Sequence, residues 1–141
     1  MSGVTGPRIL IVGVTAAVVA AVVAAVFVLG SPAEQRQRRL DERRVRDLST
    51  IENSIRAYAS THPDLPSDLA ALGREPGPRR APTDPETGAA YEYFLTGKEA
   101  YRLCAVFAGP SAEAASAYAE REGWTHGAGR QCFERKQKIG S

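Results

Sequence analysis

The sequence predicts an α+β protein: an N-terminal transmembrane helix continuing into a long amphipathic helix, packed on a small antiparallel sheet. Three stretches carry that reading. Ile9–Leu29, ILIVGVTAAVVAAVVAAVFVL, is uncharged and almost wholly aliphatic. Glu34–Ser60 contains neither Gly nor Pro and repeats apolar residues at intervals of three and four, the period of a half-buried helix. Tyr91–Ala108 alternates on both sides of Thr96-Gly97-Lys98-Glu99, as a β-hairpin does.

The apolar stretch decides where the chain sits. As a helix rising about 1.5 Å per residue it covers about 30 Å, the hydrocarbon thickness of a bilayer. A secretory signal has a shorter apolar region of about 7–15 residues, followed by a small-residue cleavage site. Val28-Leu29-Gly30 and Ser31-Pro32-Ala33 each qualify as such a site, but length favours a retained anchor. Gly13, Ala17, Ala21 and Ala25 recur every fourth residue, a small-residue face that lets two membrane helices approach and form a homo-oligomer. The plainer reading of the same residues is Ala/Val filler.

With one span, the 141 residues leave room for a single small domain. The divisions are a leader at 1–8, the transmembrane helix at 9–29, a stalk and packing helix at 34–60, and a small α+β domain at 61–141. The hairpin falls at 91–108. A formal charge of +2, with acidic residues interleaved among the basic ones, argues against nucleic acid as a partner.

Beyond Gly30-Ser31-Pro32, a helix break, opposite charges stand four apart: Glu42–Arg46, Arg43–Asp47 and Glu52–Arg56. Glu34–Arg44 carries only Leu40 as a large apolar residue and reads as a solvated stalk. Leu48, Ile51, Ile55 and Tyr58 form the stripe that packs on the hairpin or meets a partner. Thr61-His62-Pro63-Asp64 ends the helix. Leu65–Gly73 reads as one short helix, capped by Ser67 and stopped by Gly73. Asp84-Pro85-Glu86-Thr87-Gly88 is a turn, with Asp opening it, Pro fixing φ and Gly closing it. On the second hairpin strand Tyr101, Leu103, Ala105 and Phe107 share one face; Arg102, Cys104 and Val106 share the other. Ser111–Glu122 reads equally as helix or loop, and Ser111–Gly129 has too few large apolar residues to hold the C-terminal segment down without a covalent tie. Trp124 and Gln131-Cys132-Phe133 indicate a last strand returning to the sheet.

Chemistry is sparse. No GxSxG, HExxH, Walker loop or CxxC occurs, so the reading is non-enzymatic, with no cofactor and no metal. His62, His126, Cys104 and Cys132 lack the closely spaced pairs of structural zinc sites. Asp84 and Glu86 serve the turn better than they would serve calcium, which takes six to eight oxygens. Tyr91, Tyr93 and Tyr101 read as hairpin core. Outside the cytosol, Cys104 and Cys132 would form a disulfide; inside, two thiols. Six arginines at 36, 38, 39, 43, 44 and 46 follow the span, and read literally the positive-inside rule puts the domain in the cytosol.

The order of elements resembles type IV pilin-like proteins, most closely the major pseudopilin of type II secretion. Asp47-Leu48-Ser49-Thr50-Ile51-Glu52-Asn53-Ser54-Ile55-Arg56-Ala57-Tyr58 resembles that family's helix motif, D-hydrophobic-x-x-hydrophobic-E-N-x-hydrophobic-x-x-Y. Leu65-Pro66 with Leu69 and Leu72 is similar to its short helix, and Asp84-Pro85, Gly88 and Tyr91-Glu92-Tyr93 to its entry into the sheet. Standard prepilins carry a Gly-Phe peptidase site and a Glu early in the mature chain. Here Gly3 and Gly6 precede Val4 and Pro7, and the span holds no Glu. The resemblance implies a single-pass cell-membrane protein with an extracytoplasmic domain, despite the basic residues beyond the span, and with that topology a Cys104–Cys132 disulfide is expected. Its implied work is structural, through protein partners in an envelope or secretion assembly. The alternative is an accessory subunit or assembly factor of another membrane complex.

Overall fold

The computed structural model of the chain describes residues 5–29, 31–74, 81–111 and 119–139. It divides into two units, Met1–Arg36 and Gln37–Ser141.

The first unit is dominated by helix α1, Thr5–Leu29, whose side chains from Arg8 to Val28 are all exposed. It is long and apolar enough to cross a membrane. Thr15, its single hydroxyl between Ile9 and Val28, donates to the Ile11 carbonyl at 2.8 Å and so presents no bare donor to an apolar surrounding. The leader's first four residues and Gly30 lie outside the described residues. Helix α2, Pro32–Ala59, starts with a capping box. Ser31 Oγ accepts from the Glu34 amide at 3.2 Å, while the Ser31 amide donates to Glu34 Oε2 at 2.8 Å. Pro32 then fills the first helical position, where an N–H would have no partner anyway.

The second unit contains the rest of α2, the one-turn helix α3 (Leu69–Leu72) and three strands. These are β1 (Glu92–Gly97), β2 (Ala100–Phe107) and β3 (Gly129–Lys136), antiparallel in the order β1-β2-β3. The hairpin is tighter than the sequence indicates: pairing runs on to Gly97–Ala100, leaving Lys98-Glu99 as the turn, with a bulge between Leu95 and Gly97. Tyr101, Leu103, Ala105 and Phe107 face inward and are buried. They join Val45, Leu48, Ile51, Ile55 and Ala59 of α2 in one core, together with Leu65, Leu72, Tyr91 and Trp124.

Two local readings change, and a third stretch gains detail. Asp68, not Ser67, caps α3, its carboxylate accepting from the Ala71 amide at 2.7 Å, because the helix covers only Leu69–Leu72 and does not begin at Leu65. The end of Glu34–Arg44 is not a solvated stalk: Asp41 and Arg44 are 6% and 4% exposed. And the stretch before β3 has its own anchor. Trp124 is fully buried, packed edge-on against Phe133 at 4.9 Å and covered by the Arg135 guanidinium at 3.9 Å. Arg135 also donates to the carbonyls of Glu122 and Gly123. Gly123 has φ +69, and a Cβ there would stand 3.0 Å from Arg135. Of the undecided 111–122 stretch, 112–118 lie outside the described residues and 119–122 are helical.

Candidate functional site

The densest polar arrangement is a charge cluster built from α2 and the Asp84–Gly88 turn. Arg44 sits where the apolar stripe of α2 would continue towards its N-terminus, so its guanidinium enters the domain. Its Nη1 donates to Asp41 Oδ1 at 2.8 Å and its Nε to Asp84 Oδ2 at 2.6 Å. Its Nη2 reaches Asp84 Oδ1 at 3.2 Å and Glu86 Oε2 at 2.8 Å. Asp41 also accepts from the Ala108 and Gly109 amides at 3.0 Å, just past the end of β2. Asp84 organises its turn at the same time, accepting from the Glu86 and Thr87 amides and the Thr87 hydroxyl. Gly88 closes that turn at φ +72.

Three carboxylates around one guanidinium fix the charge states. The hydrogen bond from Arg44 to Asp84, strengthened by those to Glu86 and Asp41, overrides burial and keeps the guanidinium charged. Burial works against ionised Asp84. The bonds from Arg44 and the turn amides outweigh it and hold the carboxyl well below the usual range. Glu86 is lowered as well, chiefly by Arg44 and then by Gln37, whose amide lies 3.3 Å away. Further along α2, Asp47 accepts from the Tyr91 hydroxyl at 2.9 Å. Burial first, and that bond second, push the Tyr91 phenol far above its ordinary value. Tyr93 donates to the Pro66 carbonyl at 2.9 Å, and burial raises its phenol to about 12.

Asp84 and Glu86 therefore turn their oxygens onto Arg44 and the turn itself. Among the described residues no group of three or more His, Cys, Asp or Glu side chains is arranged to hold a metal ion. Asp41 and Arg44 went unmarked in the sequence because charge on a helix following a span reads as solvated. A signal was present nonetheless: 41, 44, 48, 51 and 55 continue the three-four spacing of the buried stripe.

The sequence-predicted residues are distributed as follows. Leu48, Ile51 and Ile55 are fully buried in the core, while Tyr58 is half-buried and stacks on His62 at 3.8 Å between ring centres. Gly13, Ala17, Ala21 and Ala25 lie exposed on α1, and a Cβ built at Gly13 meets nothing within 4 Å. Cys104 and Cys132 are direct cross-strand partners on β2 and β3, with sulfurs 2.07 Å apart, a bonded distance. They lie on the outer face of the sheet, away from the core. Arg130–Glu92 and Arg102–Glu134 ion pairs flank them, with Phe94 and Val106 exposed nearby. Compared with family models, curated proteins and solved structures, the chain matches none of them.

Proposed function

We propose that the chain is a single-pass, membrane-anchored interaction protein, pseudopilin-like in organisation, whose α+β domain stands outside the cytosol. It works in an envelope or secretion assembly through protein contacts rather than catalysis. The observation that carries this reading is the pairing of a fully exposed, span-length apolar helix with a domain whose two cysteines stand at bonding distance. An exposed helix of that kind needs lipid or a partner around it, and a bonded pair persists in an oxidising compartment. The order of elements, from apolar helix through amphipathic helix and DPETG turn to antiparallel sheet, supports the pilin-like part. So does the use of the cluster's charges on one another: Arg44, Asp41 and Asp84 serve to fasten the domain.

Two measurements test it. Alkylation of intact cells with a membrane-permeant maleimide, followed by non-reducing mass analysis, should leave Cys104 and Cys132 unmodified and bonded. Free alkylation of both would put the domain in the cytosol, as the six arginines read literally require. Native pulldown of the full chain in mild detergent should recover secretion or pilus components. Recovery of a respiratory or transport complex would favour an accessory subunit of that complex instead.

A further inference from the structure

The Cys104–Cys132 bond is built asymmetrically. Cys104 lies on the central strand and is 1% exposed, whereas Cys132 lies on β3, at one side of the three-stranded sheet, and is exposed. Thiol–disulfide exchange is an in-line displacement, so an attacking sulfur must approach along the extension of the S–S bond. The line from β2 through Cys132 leads out past β3. The opposite line, through Cys104, leads over β1 to Glu92, the register partner of Cys104. The Glu92–Arg130 ion pair stands across that approach. Arg130 adds the third asymmetry: its Nη2, held by Glu92, lies 3.6 Å from Cys104 Sγ.

We propose that this bond is a thiol-exchange site of fixed polarity, in which the thiolate of an external dithiol attacks Cys132 and Cys104 departs. A bond forms between the incoming sulfur and Cys132 Sγ as the Cys104–Cys132 bond breaks, and the electron pair goes to Cys104 Sγ. Arg130 faces that thiolate and lowers its basicity, which speeds departure. The second thiol of the dithiol, once deprotonated, displaces Cys132. The dithiol is thereby oxidised to its own disulfide by two electrons and the protein pair is reduced by two. By microscopic reversibility, oxidation passes through a mixed disulfide on Cys132, which Cys104 resolves. The site is independent of the membrane-anchor reading, since it requires only the outer sheet face.

The test uses the full chain in detergent, briefly exposed to 2-mercaptoethanol, quenched in acid and alkylated. Trypsin cuts after Arg102, Arg130 and Arg135, so the two cysteines separate onto different peptides. The mercaptoethanol adduct should sit on Cys132 and the alkyl group on Cys104, by about tenfold over the reverse. Arg130→Gln should slow exchange roughly threefold to tenfold, and Glu92→Gln should raise the share of adduct on Cys104. Equal adducts on both cysteines, a preference for Cys104, or free thiols before treatment would overturn the proposal. The regiochemistry is read on the unmodified protein, so a variant that fails to fold does not remove the test.

Discussion

Arg44 holds three acidic side chains from two parts of the chain, and removing it leaves those carboxylates facing one another. Asp41 is buried and Asp84 nearly so, with side-chain exposures of 8% and 13%. Arg44→Met should therefore destabilise the domain by about 3–5 kcal/mol, measured by urea unfolding of the full chain in detergent. A loss under about 1 kcal/mol would mean that water takes over the role of the guanidinium. The same cluster sets an acid limit. Folded Asp84 and Glu86 bind fewer protons than their unfolded counterparts, because both are lowered in the fold. Their contribution is complete above about pH 5 and is lost as the pH falls through about 4 and below. Near-UV circular dichroism should follow that loss, and Asp84→Asn should flatten it. Stability unchanged between about pH 6 and 3 would show that the cluster sets no acid limit. Residue chemistry was legible in the sequence where it was local, as at the Asp84 turn. The partners of Arg44 and Asp41 were not, because contacts across 40 and 67 residues depend on how the helix docks.

Helix α2 draws its stability from one face. Ile55 is fully buried in the core with Leu48 and Ile51, so Ile55→Ala should cost about 2–5 kcal/mol in the same unfolding measurement. A loss under about 1 kcal/mol would mean the site collapses around the smaller side chain. For α1 the expectation concerns processing. The intact mass of protein extracted from membranes should include Ile9–Leu29, and a mature N-terminus at Ser31 or Glu34 would show that the segment is a cleaved signal. Elements with a strong period were legible: the α2 stripe and the alternation of β2 each follow from spacing alone. Boundaries were less so. β1 runs to Gly97 because strand pairing continues past the Thr-Gly signal that reads as a loop, and the cap of α3 shifts to Asp68 because two good capping residues stand side by side.

At the scale of the whole molecule, a pull applied to the N-terminal end of the chain enters the second unit through α2, at Gln37. Asp41 and Arg44 lie within eight residues of the Gln37 boundary of the second unit, ahead of the apolar stripe. Tension entering from the N-terminal side therefore meets the charge-assisted bonds to Asp84, Glu86 and the Ala108 and Gly109 amides before it reaches Leu48 or Ile55. Hydrogen bonds and ion pairs are short-ranged and give way over a small extension, so the cluster behaves as a stiff clasp in front of a more compliant apolar core. Optical-tweezer pulling from the N-terminus against the C-terminus should show a lower rupture force for Arg44→Met than for the unmodified chain. Equal forces would place the mechanical resistance in the core. Beyond that point the Cys104–Cys132 bond limits how far the domain can be drawn out. It withholds the 28 residues of separation between the two cysteines, about 95 Å of extended chain at roughly 3.4 Å per residue, until the bond is reduced.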